Sequence, residues 1–492
     1  MRLIRFLLRL LRWMFRTRRR PLIVLIGVLL IAAPLSAWIE RLTRFYGAPP
    51  LPTYDLVLEM TARWCGEVHA QWDRDWEAVI AALEALHAQK SDCGDGKSPF
   101  EQLYPAYYNY GAWLEKQGRI NEALSAYQKA LEIQPGGREA ALALRRRGAL
   151  TPVALEICPP SEVEAALAAI PPYIPSGISW FVHLEGGMLT VKGAPYRIRG
   201  VNYYPSRAPW RRFLTETDLE TVGAELDLIQ GAGLNTIRIF VWYEALFTCP
   251  GSGPVPKADV LARLDGIIRL AAEKGLRLIV TLNDLPDLLV TPLYTQPEAA
   301  NAQTLYLVQR YRYEPAILAW DLRNEGDVDS VRGYTTTRTV IDWLRALALE
   351  VRAADPNHLI TAGWNENPQI TAGIVDFMSF HHWRSAENLR ERIKQIRAVS
   401  DKPLLLEEVG YASPADTVER QMVNLRAALS TAEAEGLMGW LIWTAFDFPT
   451  SATCIPPACP SPDNSEHHFG LWRIDYSPKP AVEMLIREFG LP

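Results

Sequence analysis

The amino-acid sequence predicts an α/β protein: a (β/α)8 barrel preceded by a small all-α domain and an N-terminal transmembrane helix. Three observations predict this order. From about residue 180, short apolar strand patterns alternate with amphipathic helical patterns eight times. Between residues 104 and 137, aromatic and small residues recur at the spacing of a helical hairpin. Ahead of both, residues 21–39 form an uncharged run of nineteen residues, about the length a helix needs to cross hydrocarbon.

The first twenty residues hold eight arginines and no acid. Only Arg41 and Arg44 follow the apolar run closely, so the positive-inside rule makes 1–20 a cytoplasmic segment, 21–40 a membrane anchor, and the remainder extracytoplasmic. A cleaved signal peptide is the alternative, with Leu35-Ser36-Ala37 as a processing site. The arginines at 2, 5, 9, 12 and 16 share one helical face, suited to anionic lipid or to a topology signal. Without this segment the chain carries 43 Lys and Arg against 56 Asp and Glu. An acidic body excludes nucleic acid as the expected partner.

Residues 46–150 read as the helical domain. Small residues at Gly111, Ala123 and Ala130 let antiparallel helices approach, and aromatics fill the grooves between them. Residues 138–147 add a closing helix. The domain is expected to lean on the membrane, on a protein partner or on the following domain, a plain helical spacer being the equal alternative. Residues 151–179 follow as a linker in which Pro159, Pro160, Pro171, Pro172 and Pro175 stiffen extended pieces around one short helix. Of the six cysteines, 65 with 93 and 454 with 459 are the expected bridges. No CxxC or His-rich spacing is present, so neither a metal nor another cofactor is expected.

The barrel is expected over 180–492, with strands at 196–202, 236–240, 276–282, 317–322, 359–362, 377–380, 404–406 and 439–443. Helices at 219–230, 260–274, 338–353 and 416–435 supply crossovers. An open doubly wound sheet is disfavoured because no Gly-rich phosphate loop follows the first strand. Two carboxylates close apolar runs: Glu325 follows Ala316-Ile317-Leu318-Ala319-Trp320, and Glu408 follows Leu404-Leu405-Leu406. Such strand ends are where barrel chemistry sits, and a paired acid and nucleophile is what glycosidic cleavage requires.

Two resemblances sharpen these expectations. Counted from Tyr104, the residues Tyr107, Tyr110, Gly111, Leu114, Gly118, Ala123, Tyr127, Ala130 and Pro135 fall at positions 4, 7, 8, 11, 15, 20, 24, 27 and 32 of a 34-residue period, which resembles a tetratricopeptide repeat. The C-terminal part carries Arg199-Gly200-Val201-Asn202, Asn235-Thr236-Ile237-Arg238, Trp320 through Glu325, Asp376-Phe377 leading to His381, Glu408-Val409-Gly410, Trp443, and Phe469-Gly470-Leu471-Trp472 with Ser477-Pro478-Lys479-Pro480-Ala481. In order and strand placement these motifs resemble a glycoside hydrolase of clan A, most like family 5, the cellulase and β-mannanase family.

The resemblance implies that Glu325 is the acid/base and Glu408 the nucleophile of a retaining hydrolase. It also implies that Arg238 lies beneath the nucleophile, that Asn324 donates to the sugar 2-hydroxyl, that His381 is a substrate or network contact, and that Trp443 is a stacking floor. Trp383 stands where the family usually carries a tyrosine that donates to the nucleophile. Physical reasoning requires the two carboxyls about 5 Å apart and Glu325 raised in pKa. Strand alternation sends only one of Glu407 and Glu408 to the barrel centre, which leaves Glu407 outside. The expected function is that of a membrane-anchored retaining glycosidase cleaving a β-mannan or β-glucan. A transglycosylase on the same scaffold and a non-catalytic glycan-binding adaptor are the alternatives.

Overall fold

The structure, a computed structural model, describes residues 53–94, 98–146, 155–286, 288, 293–331, 335–414, 417–454 and 460–490. The chain divides into two compact units between Gly137 and Arg138.

In the first unit the helices Thr53–Gln71, Trp76–Ala88, Pro99–Lys116 and Ile120–Ile133 follow one another. Their ends follow from local chemistry. The Asp75 side chain accepts the Ala78 N–H at 3.1 Å, and Pro99, which lacks an N–H, opens the third helix. Gly111 is needed because a Cβ there would lie 2.6 Å from the Tyr127 ring. The Tyr127 hydroxyl donates to Glu115 at 2.8 Å, and a core of Val79, Leu83, Leu86, Leu103 and Ala106 fills the centre. Cys65 and Cys93 form the expected disulfide.

The second unit contains an all-parallel sheet with strands Ile198–Asn202, Thr236–Phe240, Arg277–Thr281, Ile317–Asp321, Leu359–Thr361, Gly363–Trp364, Met378–His382, Leu404–Val409 and Gly439–Ile442. Leu359–Thr361 pairs with Ile317–Asp321, while Gly363–Trp364 pairs with Met378–His382. Only Ala362 separates these two short strands, so one chain segment joins both sheet edges, and the nearly closed barrel has the expected (β/α)8 character. Helices Leu219–Gly231, Ala258–Glu273, Thr337–Ala354 and Val418–Ala434 lie where amphipathic periodicity puts them.

An antiparallel sheet of Val182–Glu185, Met188–Val191 and Ala194–Tyr196 precedes the barrel, where the sequence reading has no element before residue 196. Its strands are half exposed and short, so no apolar run announces them. Val182 and Leu189 pack with Ile198, Ile279, Ala319, Phe377, Leu405 and Leu441, closing the barrel interior at the N-terminal strand ends with hydrocarbon.

The proline-rich segment lies against the barrel. Cys158 is bridged to Cys249, a pairing whose separation of 91 residues no local signal reveals. The buried Glu314 carboxylate accepts from the Tyr173 hydroxyl at 2.8 Å and the Ser176 N–H at 2.6 Å. Cys454 is also disulfide-bonded, and Cys459 falls outside the described residues.

The single-pass membrane placement expected from the sequence is corrected. Among the described residues no helix is long and apolar enough to cross a membrane. The basic segment 1–20 and the run 21–40 on which that expectation rested lie outside the described residues.

Candidate active site

The site grows from one guanidinium. Arg238 sits at the centre of a strand whose five residues are all buried. A buried arginine must have its donors and its charge answered from within the protein. Nε and Nη2 donate to Asp321 Oδ2 at 3.1 and 2.6 Å, Nη2 also to Asn324 Oδ1 at 2.9 Å, and Nη1 to Asn202 Oδ1 at 3.0 Å. Nη1 further donates to Glu408 Oε1 in a short charged contact. Asp321 is itself completed by the Thr281 hydroxyl at 2.7 Å and the Gly363 N–H at 3.0 Å. Sequence reasoning passed over Asp321, although it sits inside the quoted Trp320-to-Glu325 motif and ends an apolar strand.

Three and four residues beyond that strand end, Asn324 and Glu325 reach the barrel mouth. The Asn324 amide donates to Asp284 Oδ1 at 2.8 Å, and Asp284 Oδ2 accepts from the Tyr204 hydroxyl at 2.8 Å. Both ends of the Asn324 amide are thus fixed. Glu325 adopts φ +51°, the left-handed region disfavoured for a residue with a Cβ. Its N–H donates to the Gly363 carbonyl at 2.8 Å, which holds the turn. The Glu325 side chain is about one-fifth exposed, whereas Glu408 is 5% exposed.

His381 stands between the carboxylates. Its Nδ1 lies 2.9 Å from Glu325 Oε1 and 3.5 Å from Glu408 Oε2. One ligand-capable atom from each of Glu325, His381 and Glu408 falls within 4.8 Å of the others. The structure therefore gathers Arg238, Asn324, Glu325, His381 and Glu408 at one strand-end cluster.

The tryptophans lie at the periphery. Trp443, 9% exposed, follows the last barrel strand and packs edge-on to Phe240 with centroids 6.0 Å apart. Glu466 faces it, a carboxylate that the sequence offered no signal for. Trp383 is 38% exposed and packs against Phe469 with centroids 5.8 Å apart.

Glu407 departs from expectation. It points into the barrel and is fully buried, with Oε2 at 3.7 Å from both Arg238 Nη2 and His381 Nε2. The reason is an irregularity in the pairing. Phe380 pairs with Leu406 but His381 with Glu408, so Glu407 is an extra residue on its strand. A bulge breaks the period-2 rule and lets neighbouring side chains share one face.

These contacts set the charges. Burial pushes the Glu408 carboxyl up to about 7, against the pull of His381 and Arg238. Burial alone would lower His381, but Glu408, Glu325 and Glu407 overrule it and raise the imidazole to about 10. For Glu325, burial acts upward, yet the hydrogen bond and charge of His381, with Arg238 and Arg323, hold it below its usual range. The expected upward shift of Glu325 is thereby corrected. In the free protein the proton resides on the histidine beside it.

A parallel barrel with two carboxylates converging at its C-terminal strand ends defines a class, the barrel glycoside hydrolases, which act on O-glycosyl bonds. The family model for cellulase, glycosyl hydrolase family 5, matches residues 191–445, and that for the tetratricopeptide repeat matches residues 104–136. The chain belongs to glycosyl hydrolase family 5.

Among similar proteins is mannan endo-1,4-β-mannosidase F of Aspergillus fumigatus, 28% identical over 223 residues, which cover 39% of this chain and 48% of that protein. Mannan endo-1,4-β-mannosidase A of Podospora anserina is 26% identical over 333 residues, covering 56% and 85%. The chain thus spans about half the length of the first of these relatives. An exo-β-1,4-mannosidase from Opitutaceae bacterium strain TAV5 superposes with a TM-score of 0.52 at 22% identity, over 60% of this chain and 59% of that one, a likeness of fold.

Proposed function

We propose that the protein hydrolyses a β-linked polysaccharide, a β-1,4-mannan in the first instance, by double displacement with retention. The observation that carries this is the separation of Glu325 and Glu408, whose oxygens come within 4.8 Å. Retaining glycosidases hold their carboxyls about 5–5.5 Å apart, whereas inverting ones need about 6.5–9.5 Å to admit a water. The names of the relatives favour mannan as substrate.

Glu408, oriented by Arg238, attacks the anomeric carbon. Glu325 delivers a proton to the departing oxygen, and that proton comes from His381 Nδ1, 2.9 Å away. Substrate entry makes this transfer favourable, because covering the exposed edge of Glu325 removes water from its carboxylate and raises its proton affinity. Glu325 then takes a proton from the water that cleaves the glycosyl-enzyme. Asn324, fixed at both ends of its amide, keeps one N–H for the sugar 2-hydroxyl. Trp443 serves as an aromatic wall, and Trp383 reaches the sugar from the rim.

The test is reducing-sugar release from mannan, glucomannan, cellulose and mixed-linkage glucan, with the first-formed anomer followed by proton NMR. Release of β-anomer from one polymer is the expected result; α-anomer would exclude double displacement. Because Glu408 must be ionised and the Glu325–His381 pair must hold its proton, kcat/KM is expected to climb through about pH 7 and decline toward about pH 10. A profile that is already flat from pH 5 to 7 would contradict the burial effect on Glu408.

The helical repeat is proposed to bind a protein partner, its aromatic-lined hairpins being the surface that would do so. The domain boundaries expected from the sequence remain the proposed division of the chain.

A further inference from the structure

Glu407 has no role in the double displacement, yet its carboxylate is fully buried in the barrel. Neither of its carboxylate oxygens accepts a hydrogen bond from the described protein, and neither does His381 Nε2 donate one. Groups of this kind are rare in folded proteins because each forfeits its hydration. Three features hold them together. The strand irregularity turns the Glu407 side chain inward. The Asn202 amide donates to the Glu407 carbonyl at 3.0 Å and pins its backbone. Gly363 leaves the space, since a Cβ there would lie 2.5 Å from Glu407 Oε2, 2.9 Å from His381 Nε2 and 3.0 Å from Arg238 Nη2.

We propose that Glu407 is a positioning residue, the buried countercharge that keeps a proton on His381 Nε2 and so presents the Nδ1–H of an imidazolium to Glu325 and Glu408. This rests on the reading of those two carboxylates as the reacting pair.

The argument is one of tautomers. A histidine's two nitrogens are distinguished by what each faces. Nδ1 faces two carboxylates at 2.9 and 3.5 Å and must be a donor to be tolerated there. A neutral imidazole would meet that demand by leaving Nε2 bare, which removes any charge from the ring. With Glu407 at 3.7 Å, Nε2 also keeps its proton, and the ring remains cationic. Other charged groups around His381 are Arg238, which opposes this, and Asp327, which supports it; Arg392 is hydrogen-bonded to the His381 carbonyl. Arg238 is answered directly by Asp321 and also lies 3.7 Å from Glu407, so the charge of Glu407 is shared between the guanidinium and the histidine, which are equally distant from it. Removing it leaves Glu325 as a carboxylate without a proton donor at its side, and the first chemical step without its acid.

The experiment uses the full chain labelled with 15N-histidine, in which eight histidines give a tractable spectrum and His381→Asn identifies the resonance. In Glu407→Gln the His381 ring is expected to titrate at least about one pH unit lower than in the native protein, the size of shift one nearby charge produces. On a hydrolysed glycan, the basic limb of kcat/KM should move down by the same amount, with kcat falling and KM little changed. If Glu407→Gln does not fold, Glu407→Asp, which retracts the charge by one methylene, is expected to give a smaller shift of the same sign. Titration of His381 at the native pH in whichever variant folds would overturn the proposal. Inactivity of the native protein on every β-glycan would instead refute the reaction assigned above, and the histidine titration would still decide the role of Glu407.

Discussion

Glu408→Gln is expected to lose at least about 10⁴-fold in kcat, the scale on which removal of a nucleophile is felt, and to be more stable than the native protein at pH 8. The second half follows from linkage. Burial raises the Glu408 carboxyl to about 7 in the folded state, above the ordinary glutamate range that applies when the chain is unfolded. The native state therefore binds this proton more tightly than the unfolded state does. Stability from that proton is fully present below about pH 4.5, is lost as pH rises through about 7, and stays lost above it. The gap corresponds to roughly 3–4 kcal/mol at pH 8. Glutamine fills the same space without charge, so its advantage should appear at pH 8 and vanish near pH 4.5. Urea unfolding at both pH values, alongside reducing-sugar assays, measures this. A variant less stable than native at pH 8 would mean that the Arg238 contact outweighs the burial of Glu408.

Arg238→Met is expected to be the most damaging single change to the fold. It strips the guanidinium from Asp321, Glu407 and Glu408 together while leaving all three buried. Breaking a buried pair from one side costs about 3–5 kcal/mol, a large part of the roughly 5–15 kcal/mol that holds a typical domain together. Arg238→Lys separates charge from geometry. A lysine keeps the positive charge but cannot reach Asp321, Asn324, Asn202 and Glu408 at once, because it lacks the planar fork. It should recover most of the stability and little of the activity. Tryptophan fluorescence in urea would report the first, and turnover of the accepted glycan the second. An Arg238→Met protein with an unchanged midpoint would show that the carboxylates settle their charge without the arginine.

The barrel was legible because its strands are continuous apolar runs and its helices carry an apolar stripe, signals that survive without tertiary context. Thr236–Phe240 falls on the expected residues for that reason. Strand ends were read short where polar residues continue the ladder: Met378–His382 runs to the histidines and Leu404–Val409 to both glutamates. Arg238 and Asn324 were reached through the family resemblance, whereas Glu325, Glu408 and His381 were readable as residues closing apolar runs. The side of Glu407 was not, since an irregularity between two strands is a property of their pairing. Nor was the low proton affinity of Glu325, which depends on a histidine 56 positions away in sequence. Cys158 and Cys249 belong with these, as does the half-exposed hairpin beneath the barrel.

The charged interior also constrains how the chain can be made. Arg238 precedes Glu408 by 170 residues, so at about 5–20 residues per second a ribosome supplies the arginine roughly 10–30 s before its last partner. Through that interval the guanidinium and Asp321 stay hydrated in an unsealed sheet, because closure needs the strands that follow. Truncating the chain between Arg238 and Glu408 would therefore do more than delete a reactive group. It would strand an arginine in a half-built ring, and the fragment is expected to go to proteolysis and not to persist as an inactive barrel.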